Sequence, residues 1–443
     1  MKKYIKILTV LVMVVVLNLI VSDLSVVHAE ETLKLESEKT LFDKVKDLYQ
    51  ADQEAESRNL PFIYYINEAG FMIGDFYYDT NLFNNGTTLT SVLMYAPESG
   101  MITSFNDLKD YPLADKLTLG GRLKIIKYND IKNGAIGNDS SDEEIPEEYM
   151  DMLEELQIIK TKIANGTATS EDMQRALEIQ NTIDRDKLDG YQLYHGWNNS
   201  LALNLTYDIN ENNAIIGEYN YEELESQVKD YKSDTISLAW ENKEVDNKNN
   251  PRSGHRVITK VKKSLDLLGH DSHNNWDYTK YTLDARKYFP VFKKSTFAVR
   301  MRTQSTTGEK RIDEERTRLL RFQTGNENAV VSTYAPFFDM ALLGDLDTMK
   351  GYNYYRFYDN NSVLYQAELR VPMDHILTGL QGNLFFEAGR VSDNFNRELF
   401  TEDMHYSGGL GIRYFFNEDV IVRTDIGYSE EAVQFRMNIG QTF

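Results

Sequence analysis

From about residue 61 to the C-terminus, apolar and polar positions alternate in one segment after another. In the stretch 362–373, Val363, Tyr365, Ala367, Leu369 and Val371 share one face, opposite Gln366, Glu368 and Arg370. The stretch 382–391 sets Leu384, Phe386 and Ala388 against Asn383, Phe385, Glu387 and Gly389. Leu410, Ile412, Tyr414 and Phe416 oppose Gly411, Arg413 and Phe415, and Val420, Val422, Ile426 and Tyr428 oppose Arg423, Asp425 and Gly427. The chain ends on EAVQFRMNIGQTF, where Val433, Phe435, Met437, Ile439 and Phe443 form one row, broken only by Gln441. A period of two belongs to a strand with two unlike faces. Counting back from the end gives strands near 431–443, 420–428, 406–416, 382–391, 362–373, 331–342, 294–306, 275–288, 253–265, 233–243, 213–222 and 197–208. Four weaker ones within 69–128 bring the total to about sixteen.

Two stretches leave this rhythm. Between 145 and 186, Tyr149, Met152, Leu153, Leu156, Ile159 and Ile163 recur at helical spacing. A break at Asn165-Gly166 follows, and Thr169-x-x-Asp172 then has the form of a capping box that opens a second helix. The spacing therefore predicts a helical hairpin inserted between strands. Residues 307–328 are also charged and helix-prone. If both ends of the strand array lie in the periplasm, the strand count puts both insertions on the periplasmic side. Residues 30–60 have the pattern of one short helix (Leu41, Val45, Leu48) and are too few for a folded domain.

Composition decides what the apolar face meets. The 443 residues include 28 Tyr and 21 Phe but only 8 Pro, which suits many strands joined by polar turns. The polar faces carry Arg, Asp, Glu, Gln and Gly with few lysines, as a crowded barrel lumen requires. The segments have about the 9–11 residues that cross a bilayer as tilted strands. Lys2, Lys3 and Lys6, the apolar run Ile7 to Val21, and Val27-His28-Ala29 form a secretory signal peptide that ends near residue 29. No later apolar run approaches the ~20 residues of a transmembrane helix. Only a closed barrel could then span a membrane, because every backbone group in lipid must pair internally. The expectation is an all-β, transmembrane antiparallel β-barrel over 61–443, preceded by a signal peptide (1–29) and a short periplasmic segment (30–60). A soluble β-sandwich is the competing reading.

Chemistry narrows the function classes. A net charge of −21 argues against nucleic-acid binding, and the absence of Cys removes disulfides and thiolate metal sites. No nucleophile elbow or phosphate loop is present. His270-Asp271-Ser272-His273, the acidic run Asp139 to Glu144, and Asp345 with Asp347 all read as solvated loop residues. No enzyme activity, metal or cofactor is implied.

The most informative stretch is LLGDLDTMKGYNYYRFYDNNSVLYQAELRVPM. It contains Met349-Lys350-Gly351-Tyr352, then Gln366-Ala367-Glu368-Leu369-Arg370-Val371-Pro372, and the next strand has Phe385-x-Glu387-x-Gly389. The tail adds Gly409-Leu410-Gly411-Ile412-Arg413, Arg423-x-Asp425-x-Gly427 and Gly440-Gln441-Thr442-Phe443. In order and spacing these resemble the barrel of BamA/TamA-type outer-membrane protein assembly factors, the bacterial surface antigen family. The likeness is strong over 331–443, fair over 233–306 and thin before that. LAWENKEVDNKNNPRSG and GAIGND are similar to further recurring turns of the family.

The resemblance implies a barrel of roughly sixteen strands whose motif loop (about 343–361) folds back into the lumen. There Lys350 would meet Glu387, Gly351 would turn tightly against the wall and Tyr352 would pack beside it. Phe385, Glu387 and Gly389 would form the wall partner, and Arg413, Arg423 and Asp425 would face the lumen. Lys stands where the family has Arg, so the bidentate fork is lost and Arg356 is a candidate to share the role. Phe435, Met437, Ile439 and Phe443 resemble the C-terminal barrel-insertion signal, with their side to lipid. Well-known members carry POTRA domains ahead of the barrel; residues 30–60 cannot hold one, so the likeness is to a short form. The implied function is assisted insertion of other barrels through a seam between first and last strands. The implied partners are outer-membrane lipid, unfolded outer-membrane protein clients and a periplasmic accessory protein. A pore or transporter, or a structural surface antigen, are the alternatives.

Overall fold

The computed structural model describes residues 57–66, 70–134, 167–186, 191–226, 231–265, 276–312, 330–415 and 420–443, with isolated positions in 152–163 and at 267, 317 and 328. Residues 1–29, read above as a signal peptide, residues 30–56, the acidic run 139–144 and the stretch 270–273 lie outside the described residues.

Sixteen strands form a single antiparallel sheet in which each strand pairs with its neighbours in chain order. They are β1 (Ser57–Ile66), β2 (Gly70–Leu82), β3 (Thr87–Tyr95), β4 (Ile102–Ala114), β5 (Leu117–Gly134), β6 (Tyr191–Asn210), β7 (Asn213–Ser226) and β8 (Tyr231–Val245). There follow β9 (Gly254–Leu265), β10 (Tyr278–Pro290), β11 (Thr296–Gly308), β12 (Asn361–Pro372), β13 (Leu380–Ser392), β14 (His405–Phe415), β15 (Ile421–Tyr428) and β16 (Val433–Ile439). An up-and-down order lets each strand find its partner through a short turn, so a large sheet forms from contacts that are local in the chain.

From β8 onward the alternation runs apolar outside and polar inside. Leu238, Leu384, Leu410, Ile412 and Ile426 are exposed on the outer wall, while Glu368, Glu387, Arg413 and Asp425 between or beside them are fully buried. Aromatic side chains mark both rims. Phe71, Tyr95, Trp197, Tyr406 and Tyr428 are exposed toward one end, and Phe83, Tyr207, Phe289 and Phe292 toward the other. An apolar band between two aromatic girdles is the outer surface that a bilayer demands of a barrel. The apolar flank of these strands therefore faces lipid, and a sandwich of two stacked sheets is excluded.

The count of sixteen agrees with the sequence reading, but through two errors that cancel. The stretch 331–342 is no barrel strand: Ser332–Thr333 pairs with Arg311–Ile312, and Ala341–Leu343 pairs with Phe357–Asp359, in two small ribbons off the wall. The missing strand is β1, which begins at Ser57, inside the segment read as periplasmic. Moving one strand to the front changes the parity of all that follows. The helical insertion now follows β5 and the motif loop follows β11, so both leave at the end opposite the start of β1 and the end of β16. The expected periplasmic side for both insertions is corrected accordingly. Of the insertion, the helix α1 (Ser170–Asp186) and helical positions between 152 and 163 are described. The capping box forms: Thr169 Oγ1 lies 2.9 Å from Asp172 Oδ2 and accepts from the Asp172 N–H at 3.1 Å. Most of 313–327 lies outside the described residues.

The first and last strands lie beside each other, yet no ladder joins them among the described residues. The seam is bridged instead by side chains. Leu60, Phe76, Tyr78 and Val92 of β1–β3 cluster with Val420 at the start of β15, flanked by Tyr414 and Val422. Pro61 sits within β1, which a sheet tolerates on an edge strand because proline gives no N–H to a ladder.

Candidate functional site: the motif loop in the lumen

Between β11 and β12 the chain folds back into the lumen and meets the wall formed by β12–β16. The approach depends on missing side chains. A Cβ on Gly351 would stand 2.6 Å from the Tyr428 carbonyl group, and one on Gly427 would stand 2.5 Å from the carbonyl of Lys350. Two glycines facing each other thus let loop backbone touch wall backbone. At Gly389 the same space is filled from the loop by Leu343 and Met349.

Lys350 is 1% exposed. Its backbone N–H donates to Glu387 Oε2 at 2.6 Å, while its ammonium stands 4.0 Å from Glu387 Oε1 and 3.6 Å from Asp425 Oδ2. The ammonium also sits 3.7 Å above the Phe385 ring. Lysine therefore does not imitate a guanidinium fork. The short directional bond comes from its backbone, and its charge is shared between two carboxylates and an aromatic face. Glu387 takes two further bonds, from Ser407 Oγ at 2.7 Å and Gln366 Nε2 at 2.6 Å.

Around this contact a lattice of charge spans the lower lumen. Glu368 accepts from Arg370 at 3.0 Å and from Arg413 at 2.8 Å. Asp425 accepts from Arg413 at 2.8 Å and from Arg423 at 3.3 Å, and Arg423 also pairs with Asp347 of the loop. Four cations (Lys350, Arg370, Arg413, Arg423) face four carboxylates (Asp347, Glu368, Glu387, Asp425), so the group is neutral. Balance matters because an unpaired charge in such a confined space is costly.

The structure brings together Lys350, Gly351, Phe385, Glu387, Gly389, Arg413, Arg423 and Asp425. Tyr352 is fully buried, edge-on to Phe357 at 4.8 Å, and its carbonyl accepts from Arg436 at 2.7 Å. Arg356 stands apart from Glu387: its Nε donates to Glu431, in the turn before β16, at 2.8 Å. It fastens the loop to the last hairpin and does not share the role of Lys350. Sequence reasoning missed Ser407 and Glu431 and read Asp347 as a solvated loop residue, whereas it pairs with Arg423; Gln366 and Thr442 were quoted in motifs, without a partner. Glu368 and Arg370 were legible as a motif, without a partner.

The C-terminal row also divides. Val433 and Phe435 are exposed on the outer wall, and Met437 is half-buried in the same row; nothing is described of the Ile439 side chain. Phe443 does not continue them. Gly440 adopts φ +87°, which turns the tail inward. Phe443 is then buried against Tyr288 and Ala298, under the Arg300 and Arg370 guanidiniums, with its carbonyl oxygen 2.5 Å from Arg370 Nη2. The expectation that Phe443 meets lipid is corrected: an apolar ring gains more from that closed pocket between cations than from one more position on the outer row. Thr442 accepts from Arg423 at 2.5 Å, so the tail and the motif loop end on the same charges.

Residues 168–443 match the Omp85 superfamily domain. Among solved structures, the chain is similar to BamA from Haemophilus ducreyi lacking POTRA domains 1–3, at 11% identity and a TM-score of 0.45, over 87% of this chain and 70% of that one. It is similar to CdiB from Acinetobacter baumannii (11% identity, TM-score 0.46, 87% of this chain and 59% of that one). It is also similar to CdiB from Escherichia coli (9% identity, TM-score 0.49, 87% and 62%). The chain thus spans less than two thirds of the length of either CdiB. No curated protein sequence matches it. With the match extending over more than half of its length, the chain belongs to the Omp85 superfamily, as an outer-membrane β-barrel.

Proposed function

We propose that this barrel assists the insertion of other outer-membrane proteins through the seam between β1 and β16. The observation that carries the reading is that these strands adjoin without a backbone ladder. An edge strand that no ladder closes can template an incoming strand by main-chain hydrogen bonding. Apolar side-chain contacts across the seam, centred on Leu60 and Val420, hold it shut at lower cost than a full ladder would. The inward turn at Gly440 shortens the last strand and leaves β1 with less edge to pair. Unfolded outer-membrane proteins are the clients in this reading, and a periplasmic accessory protein would deliver them. No covalent step is required.

The competing reading is a pore or transporter. The two separate on depletion and on conductance. An insertion factor's depletion lowers the amounts of other barrel proteins in the outer membrane, and the purified protein conducts little while the motif loop occupies the lumen. Unchanged barrel levels on depletion, together with steady conductance of the intact protein, would overturn the proposal.

A further inference from the structure

The motif loop meets the wall a second time, on β9 and β10, before it reaches Lys350. A single 3₁₀ turn, Phe337–Asp339, brings Asp339 to the inner face there. Ala335, Met340 and Tyr358 of the loop pack with Tyr278 of β10. The Asp339 carboxylate is buried; one oxygen accepts from the Lys262 ammonium and the other from the Tyr278 hydroxyl. Lys280 Nζ completes the contact, donating to the carbonyl oxygens of Asp339 at 3.3 Å and Met340 at 2.8 Å.

Without the loop, this part of the wall would be out of balance. Lys262 and Lys280 are direct partners across β9 and β10. Like charges so placed repel each other unless an anion lies between them. The flanking partners on that rung, Ser237 of β8 and Thr306 of β11, are neutral. Glu218, further along the rung, is held by Lys260 at 2.7 Å. The Thr306 hydroxyl is buried with no hydrogen-bond partner among the described residues. The wall thus presents two amines and a phenol, and the carboxylate comes from the loop. The Lys350 contact has the opposite arrangement: there the wall brings Glu387 and Asp425, and the loop brings the cation. The Lys262 side chain is 19% exposed against 8% for Asp339, so the lysine is the partner more open to the lumen.

We infer that Lys262, Lys280 and Tyr278 form a carboxylate-binding site in the lumen, which the loop fills with its own Asp339. The resident side chain defines the ligand class. An ammonium and a phenol hydroxyl, each directed at one oxygen of the same carboxylate, make charge-assisted hydrogen bonds, the strong kind. A free carboxylate of side-chain size competes with Asp339 for these donors, and its binding leaves the loop anchored at β13–β16 alone. The tether favours Asp339, whose effective concentration at the site is on the order of millimolar or more. The site is therefore a second latch on the loop. The inference rests on the seat of the loop in the lumen and is independent of the insertion reading.

The test empties the site and refills it. Asp339→Ala in the full chain removes the resident carboxylate, and [13C]formate is the probe, titrated by NMR against the folded barrel in detergent at fixed ionic strength, with chloride as the other anion. The variant should bind about one formate per chain, and the unaltered chain about tenfold more weakly or less, because its own carboxylate competes. Adding Lys262→Met to Asp339→Ala should weaken formate binding by about tenfold or more, the effect of losing one charge-assisted hydrogen bond. In planar bilayers Asp339→Ala should also raise the time-averaged conductance, as the latch is lost. Heat-modifiable gel mobility checks that each variant is folded; Asp339→Gly with acetate repeats the titration if the alanine variant is not. Absence of saturable binding to the emptied site would overturn the proposal. So would binding that survives Lys262→Met, or equal binding by the unaltered chain.

Discussion

Lys350 shows how a substitution that looks conservative changes a contact without removing it. An ammonium has no fork, so the bond to Glu387 passes to the backbone N–H and the charge spreads over Glu387, Asp425 and the face of Phe385. Lys350→Ala would leave Glu387 without a cation at a buried site, while Asp425 keeps Arg413 and Arg423. It should cost about 3–5 kcal/mol in denaturant unfolding from vesicles, whereas Lys350→Met combined with Glu387→Gln should cost much less. Additive losses in that pair of variants would show that the two residues are not coupled. Gly427→Ala tests the backbone approach. The added methyl would strike the Lys350 carbonyl and push the loop off the wall, so conductance should rise while the barrel stays folded. Unchanged conductance would place the loop's anchor elsewhere. The motif residues and Glu387 were legible through their local spacing and resemblance. Asp347 and Glu431 were not, because their partners lie 76 and 75 residues away and no local pattern records such a choice.

At the scale of elements, the sequence shows strands best where the two faces differ in the way lipid requires. β12–β16 have that contrast and were placed to within a few residues. β1–β4 are weak because both faces are mixed: Asp75 and Ser91 share a face with Ile63, Ile73 and Leu93, while Thr103 and Asp107 share the other with Leu60, Phe76 and Val92. The stretch 331–342 alternates well enough to pass for a strand, but it makes only two- and three-residue ribbons. The helix α1 was legible because its cap is local. Thr169→Ala removes the N-cap and should cost the hairpin about 1 kcal/mol, read as lost helicity. Asp172 gives a pH signature. Its hydrogen bonds from Lys162 and then from Thr169 hold its carboxyl down to about 2, below the ordinary carboxylate value. A lowered folded-state pKa means that its contribution is complete above about 4 and is lost as pH falls toward 2. Helicity of the insertion should therefore be flat from neutral pH down to about 5 and decline below about 4. A decline on raising the pH would contradict the assignment.

For the whole molecule, one sheet of sixteen strands must close without an edge in lipid, and it does so unevenly. Fifteen junctions carry ladders; at the sixteenth no ladder forms among the described residues and apolar side chains pack across it, with the tail turned inward and bound to the charges that hold the motif loop. Loop, tail and seam thus share one region of the barrel. The central claim is that this junction opens laterally to admit a client strand. The most direct measurement joins β1 to β16 by a disulfide between introduced cysteines, in a chain that has none of its own, and follows the other barrel proteins of the same outer membrane. With the bridge oxidised their amounts should fall as they do on depletion, and reduction should restore them. Normal amounts under a fully formed bridge would contradict the account.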